Sequence, residues 1–418
     1  MGRRGPKGGA AITGVFTTLL VMLGAGLLAE RAARAAGLPD IVLFLVAGLL
    51  LGPVGGLVHI RSGGGAAGFI LTFGAAFMLY EGGRRLGFGV LRRIWLGVTL
   101  LSTCGLLATA AVVALAAHLV GLSWPVAGLV AAVTAATDPA TVIPLFRSVR
   151  VRARLARLLE AESACNDAVG AVLTFTLVGL QRGAAPGVPA AAELVLRNIL
   201  GGLGIGVVLG VCAAWLLPGG RGPALFDTRE QGAILSLLLV LASYAAASGL
   251  HASGFMAVFV AGVLTGNRDV VGTVPPRGHR RLHDAYLRQI TVLVRLLIFV
   301  VLGAAVDPAL LARAAWPAGL VTLVLIFVAR PVAVLICLPP DRVARWTVGE
   351  MRLAAWVRET GAVPAALAGA LLAQGIPGAR TVAAFVFMAV IGTILLQVPT
   401  TAWWARVSGV LEPPPAPR

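Results

Sequence analysis

Apolar stretches about twenty residues long, cut by short polar connectors, repeat along the whole chain. A run of that length crosses the ~30 Å hydrocarbon core of a bilayer as a helix. The pattern predicts thirteen spans, at roughly 11–29, 39–60, 66–83, 94–120, 124–146, 160–181, 189–217, 231–248, 251–266, 286–306, 316–338, 351–373 and 380–405. No connector has the length or pattern of a soluble domain. After Arg406 only a Pro-rich stub (407–418) remains, so no cytoplasmic regulatory domain is expected. The chain therefore reads as one all-α polytopic membrane domain over 1–418.

An odd span count has a topological consequence. If spans one to six (about 11–181) and eight to thirteen (about 231–405) are equivalent halves joined by the seventh (about 189–217), the second half starts on the opposite side of the membrane. That is an inverted-topology repeat, an architecture of many secondary transporters. The fifth span of each half should then be the interrupted one. Span five holds Thr137-Asp138-Pro139 near its middle, and span twelve holds Arg358-Glu359-Thr360-Gly361-Ala362-Val363-Pro364. Each combines a carboxylate with helix-breaking residues at bilayer depth.

Composition agrees with this pattern and changes how the charge is read. Of 418 residues, 58% are hydrophobic and 12% charged, which excludes an ordinary water-soluble enzyme. The net charge of +17 would suggest nucleic acid in a soluble protein. Here the basic residues, all arginine except Lys7, cluster between apolar runs and mark membrane orientation. One set of loops holds Arg3, Arg4, Lys7, Arg61, Arg182, Arg313 and Arg380; the other holds twenty-three arginines, which makes it cytoplasmic. The N-terminus is then outside and the C-terminus inside. The basic start before an apolar run also has the form of a signal peptide, whose removal would leave the other spans oriented as before. Cys104, Cys165, Cys212 and Cys337 lie in four separate apolar stretches, a spacing that fits neither a disulfide framework nor a zinc site.

A carboxylate at membrane depth calls for a partner or a function. Of 17 acidic residues, Glu81, Asp138, Glu162, Asp167 and Glu359 fall inside apolar spans, with Arg295, Arg330 and Arg358 as basic groups. Span six is the densest, reading Glu160-Ala-Glu162-Ser163-Ala-Cys165-Asn166-Asp167. Glu162 and Asn166 are four apart, as are Ser163 and Asp167, so the four share one polar helix face. Broken helices add unpaired backbone carbonyls that can replace part of an ion's hydration shell. Oxygen-only ligands suit a hard cation. A single carboxylate holds either a proton or a small cation, and that exclusion is the physical minimum for exchanging one for the other.

At these residues the chain resembles the monovalent cation/proton antiporter family, specifically its sodium/proton exchanger branch. The resemblance rests first on Thr137-Asp138-Pro139 followed by Glu160-x-Glu162-Ser163-x-x-Asn166-Asp167-Ala168. It extends to Gly37-Leu38-Pro39, Gly48-x-x-x-Gly52-Pro53, Tyr80-Glu81-Gly82-Gly83, Ser253-Gly254-Phe255, Ala329-Arg330-Pro331 and Gly361-Ala362-Val363-Pro364, in order from about 15 to 405. The resemblance implies two inverted six-helix repeats whose broken helices cross, and a transport core that moves against a dimerising scaffold in the plasma membrane. It makes Asp167 the shared carrier of cation and proton. Asp138, Thr137 and Ser163 complete the ion site, with Glu81 contributing through water. Asn166, in place of a second aspartate, implies electroneutral exchange of one proton for one cation. Glu162 and Arg330 form a buried structural pair. The implied cargo is Na+, with K+ or Li+ as the alternative and pH homeostasis as the use. No cofactor or nucleic acid is implied.

One stretch departs from the family. The branch reads Gly-Leu-Arg-Gly-Ala at the span-twelve break, where this chain has Arg358-Glu359-Thr360-Gly361-Ala362. The arginine is displaced by two residues and a carboxylate is added, so Glu359 either pairs with Arg358 or joins the site.

Other polar features read more plainly. Glu81 fits a helix-end carboxylate reaching the interface as well as it fits the ion site. Glu160 reads as a solvated helix start, and Arg197 and Arg295 as arginines snorkelling from span ends. His59, His118, His251, His279 and His283 lie at span ends or in a basic loop. Arg147, Arg150, Arg154 and Arg157 form a stripe suited to an anionic leaflet. Gly202-x-x-x-Gly206-x-x-x-Gly210 suits close helix packing. A cation channel would use the same polar core without proton coupling. An intramembrane aspartyl protease would need a Gly-x-Gly-Asp motif, which is absent, and without a Walker A motif ATP-driven pumping is not expected.

Overall fold

The computed structural model describes residues 7–58, 65–138, 142–183, 188–216, 229–270, 272 and 277–412. Pro139, His59 and the tail beyond Glu412 lie outside them. Among the described residues the regular secondary structure is helical apart from one isolated antiparallel bridge between Val151 and Leu411. In chain order come α1 (Lys7–Ala36), α2 (Asp40–Leu49), α3 (Gly65–Arg85), α4 (Phe88–Leu100), α5 (Leu106–Leu119), α6 (Trp124–Ala135), α7 (Val142–Val149), α8 (Ala153–Gln181) and α9 (Val188–Leu216). There follow α10 (Arg229–Gly249), α11 (Gly254–Gly266), α12 (Arg277–Ala305), α13 (Pro308–Val324), α14 (Arg330–Cys337), α15 (Val348–Trp356), α16 (Ala362–Ala373) and α17 (Ala379–Val407).

Nine helices are long and apolar enough to cross a membrane, among the described residues. Four more apolar helices, Asp40–Val54, Trp124–Ala135, Gly254–Gly266 and Ala362–Ala373, are shorter. These fall on the predicted apolar stretches, and both interrupted spans are confirmed as breaks. α6 stops at Ala135 and the chain resumes as α7; α15 stops at Trp356 and resumes as α16. The expected start of span eleven near 316 is corrected to Pro308. Asp307 accepts from the backbone N–H groups of Ala309 and Leu310, and Pro308 occupies the first helical turn, so a capping signal opens that helix earlier.

Three spans carry an unforeseen π-helical turn, at Leu50–Val54, Leu101–Gly105 and Leu325–Ala329. The second and third interrupt spans four and eleven, which are counterparts if the halves are equivalent, and each packs against the other's span. At the second, Thr103 Oγ1 donates to the Thr99 carbonyl at 2.6 Å.

The helices pack in two groups. α1, α2, α3, α9, α10, α11 and α12 form one; α4 to α8 and α13 to α17 form the other, with α3, α11 and α12 meeting α8 and α16 between them. Small residues set the closest approaches. At Gly206 a Cβ would collide with the Ala257 backbone of α11, at Gly262 with the Tyr80 carbonyl of α3, and at Gly48 with the Val300 carbonyl of α12. The glycine stripe of α9 thus faces α11. α16, built mostly from alanine and leucine, is buried on every side from Ala362 to Leu371.

Candidate functional site

The site forms where the two breaks meet. At Ala136 the backbone leaves the helix for an extended conformation, so the groups at Thr137 lose their helical partners and α8 supplies replacements. Asn166 Oδ1 accepts from the Thr137 backbone N–H at 3.2 Å, and Asn166 Nδ2 donates to Thr137 Oγ1 at 2.7 Å. Ser163 Oγ donates to the Thr137 carbonyl at 2.7 Å. Ser163 and Asn166, one turn apart on α8, therefore grip one extended residue from both sides.

The two broken spans also brace each other. The Asp138 backbone N–H donates to the Glu359 carbonyl at 2.9 Å. Asp138 Oδ2 accepts from the Ala362 N–H at 3.2 Å, placing a carboxylate on the N-terminus of α16. In return, Arg358 Nη2 donates to the Thr134 carbonyl, placing a guanidinium on the C-terminus of α6. Each half-helix end thus carries a charge of opposite sign to its dipole, supplied by the other span. Gly361 is held by this closeness, since a Cβ there would strike the Asp138 carboxylate. α17 secures the break from behind. Thr393 Oγ1 accepts from the Thr360 N–H at 3.1 Å, and Gln397 Nε2 donates to the Trp356 carbonyl.

Asp167 lies one residue beyond Asn166. Its Oδ1 is buried and accepts no hydrogen bond among the described residues. Asp138 is the charged neighbour that acts on it electrostatically. Beside this pair, Arg330 Nη1 and Nη2 both bond to the Glu162 carboxylate, the second at 2.9 Å, while Nε donates to the Ala354 carbonyl at 2.9 Å. Glu162 and Arg330 are only 1% and 3% exposed, so the pair is fully desolvated. Arg358, buried in the same crevice, senses Arg330 and Glu162. Arg358 turns to the α6 carbonyl at Thr134, and its Nε and Nη1 find no hydrogen-bond acceptor among the described residues.

Sequence reasoning placed Thr360 in the break without a role and missed Thr393 and Gln397, whose only signal is polarity in an apolar run. Glu81 is drawn elsewhere. It is 3% exposed and bonds Arg84 and Arg85, and Arg84 also reaches Asp284 of α12 at 2.6 Å. Glu81 therefore neither snorkels nor makes a direct bond to the Thr137–Asp167 group. Arg295, read as a snorkelling residue, is also corrected: it pairs with Asp40 Oδ2 at 2.7 Å, which ties α12 to the start of α2.

Asp138, Asp167, Ser163 and the Thr137 region offer oxygens alone, a donor set for a hard cation or a proton. A family model described as "Sodium/hydrogen exchanger, transmembrane" matches residues 16–407. The K(+)/H(+) antiporter NhaP2 of Shewanella oneidensis is 29% identical over 388 residues, covering 90% of this chain and 64% of that protein. The chain thus spans under two thirds of the length of that relative. The Probable Na(+)/H(+) antiporter 2 of Methanocaldococcus jannaschii is 28% identical over 421 residues, covering 93% of this chain and 94% of that protein. The solved structure of the sodium proton antiporter MjNhaP1 from the same organism, at pH 8, superposes with a TM-score of 0.79 at 27% identity, covering 94% of this chain and all of that one.

Proposed function

The chain belongs to the sodium/hydrogen exchanger family, and from that premise we propose that it exchanges a monovalent cation for protons across the cell membrane by secondary active transport. Asp167 is the carrier in this reading. The observation that carries it is the buried Asp167 Oδ1, without a hydrogen-bond donor among the described residues, beside the Asp138 carboxylate. Two carboxylates in a low-dielectric site call for a positive partner, and a proton or a cation can serve, one at a time.

The surrounding contacts support separate roles. Ser163 spends its proton on the Thr137 carbonyl, which leaves its lone pairs for a cation. Asn166 holds Thr137 and contributes no second titrating group, which favours electroneutral exchange. Glu162 and Arg330 neutralise each other and keep α8 registered to α14. Glu359, whose carbonyl anchors Asp138, acts in this reading through its backbone. Alternating access follows if α4 to α8 and α13 to α17 move as one body against the other group. In this reading the chain dimerises, with its N-terminus outside and its C-terminus in the cytoplasm.

Na+ is the favoured cargo. The likeness to a relative named as a K(+)/H(+) antiporter gives K+ as the second reading. The test is a pH-gradient dye in everted vesicles, with Na+, Li+ and K+ titrated from pH 6 to 9. The cation with the lowest half-maximal concentration is the cargo, and Asp167→Asn abolishes the response. Exchange that persists in Asp167→Asn with an unchanged pH profile overturns the assignment.

A further inference from the structure

The lipid-facing side of the proposed moving body carries an aromatic chain unlike an ordinary hydrocarbon surface. Phe327, in the π-helical turn before Arg330, meets Trp356 edge-on at 5.9 Å between ring centroids. Trp356, the last residue of α15, stacks on Trp404 of α17 at 4.9 Å, and Trp404 meets Trp403 at 5.2 Å. Phe327 and Trp403 are 53% and 56% exposed.

Two exposed arginines extend this chain toward the arginine-rich end of the molecule. Arg352 is four residues before Trp356 on α15, and Arg406 is three after Trp403 on α17, so each shares the face of its tryptophan. α15 and α17 run antiparallel side by side. Trp356 Nε1 donates to Thr400 Oγ1 at 3.1 Å, and Gly349 lies against the Ser408 carbonyl. Both arginines therefore sit at the same end of the aromatic chain. Tryptophan rings with arginines at one level match the interface of a bilayer, where the polar head of a lipid is anionic and its chains are apolar.

We propose that Arg352 and Arg406, with Trp403, Trp404, Trp356 and Phe327, form a binding site for an anionic phospholipid. Its phosphate is held by the two guanidinium groups and one acyl chain lies along the rings. The site abuts the breaks directly, because Trp356 precedes the Arg358 segment by one residue and Phe327 lies within one turn of Arg330. Bound lipid would thus bear on the backbone of both buried arginines. The site is independent of which cation is carried.

The test uses the full chain with Trp95, Trp124, Trp215 and Trp316 replaced by phenylalanine, reconstituted in liposomes containing phosphatidylglycerol or phosphatidylcholine with brominated acyl chains. Bromine quenches tryptophan only on contact. Two arginines at an anionic interface predict half-maximal quenching at a roughly thirtyfold lower mole fraction of brominated phosphatidylglycerol. The preference disappears in Arg352→Gln/Arg406→Gln and survives in Arg352→Lys/Arg406→Lys and in Arg342→Gln/Arg345→Gln. Equal quenching by the two lipids overturns the proposal, as does a preference that survives Arg352→Gln/Arg406→Gln or is abolished by inorganic phosphate. Quenching is read without transport, so its failure is separable from failure of the exchange reading.

Discussion

Replacing Glu162 with glutamine removes one charge while keeping the side-chain shape, and its cost can be worked from the contacts. Arg330 is desolvated and directs two of its donors at the Glu162 carboxylate. After Glu162→Gln one of those donors faces an NH2 group, and the guanidinium stays buried without a counter-charge. Breaking a buried pair from one side costs about 3–5 kcal/mol. The upper half of that range is expected, because Arg358 depends on the same carboxylate for charge balance. The assay is thermal unfolding of the purified protein in neutral detergent, set against Arg330→Met and the double variant Glu162→Gln/Arg330→Met. Removing both partners leaves no unpaired charge, so the double variant should recover at least half of the single-variant loss. Two results refute the reasoning: a Glu162→Gln protein as stable as its parent, or a double variant whose loss equals the sum of the singles.

Other expectations follow from close contacts. Gly361→Ala drives a methyl group into the Asp138 carboxylate, so exchange in vesicles should fall to background. Gly369→Ala, which meets only the flexible end of Leu71, should keep most of it; equal activity of the two would remove the steric argument. Glu350 is fully buried, bonds the half-exposed Arg154 at the base of α8, and completes a capping box with Thr347. Glu350→Gln should cost about 1–3 kcal/mol in the same unfolding assay. That loss should shrink at 1 M salt, because the arginine side is open to screening; a salt-independent loss would place the effect in the cap alone.

The membrane architecture was legible because hydropathy acts on long windows. Both breaks were visible because Asp138 and the Arg358–Pro364 segment violate that pattern at bilayer depth. The face of α8 carrying Glu162, Ser163, Asn166 and Asp167 followed from helical spacing alone. Its long-range partners did not: Glu162 and Arg330 lie 168 positions apart, and only the family resemblance joined them. The π-helical turns were missed although Pro53 lies in the first and Pro331 follows the third, because a shift in backbone hydrogen-bond register leaves side-chain hydropathy unchanged. The contact of Arg358 with the Thr134 carbonyl was hidden for a related reason. Sequence shows charged side chains as candidate partners, whereas a carbonyl at the end of a broken helix becomes an acceptor only once the break exists.

That contact also has a consequence in time. Thr134 and Arg358 are 224 residues apart, as are Asp138 and Ala362. During synthesis, span five enters the membrane long before span twelve exists. Until then its broken middle has a helix end without its guanidinium and a carboxylate without its backbone donor, groups that are costly to leave in hydrocarbon. Span five is therefore a conditional transmembrane segment, complete only when the second half of the chain arrives to close it.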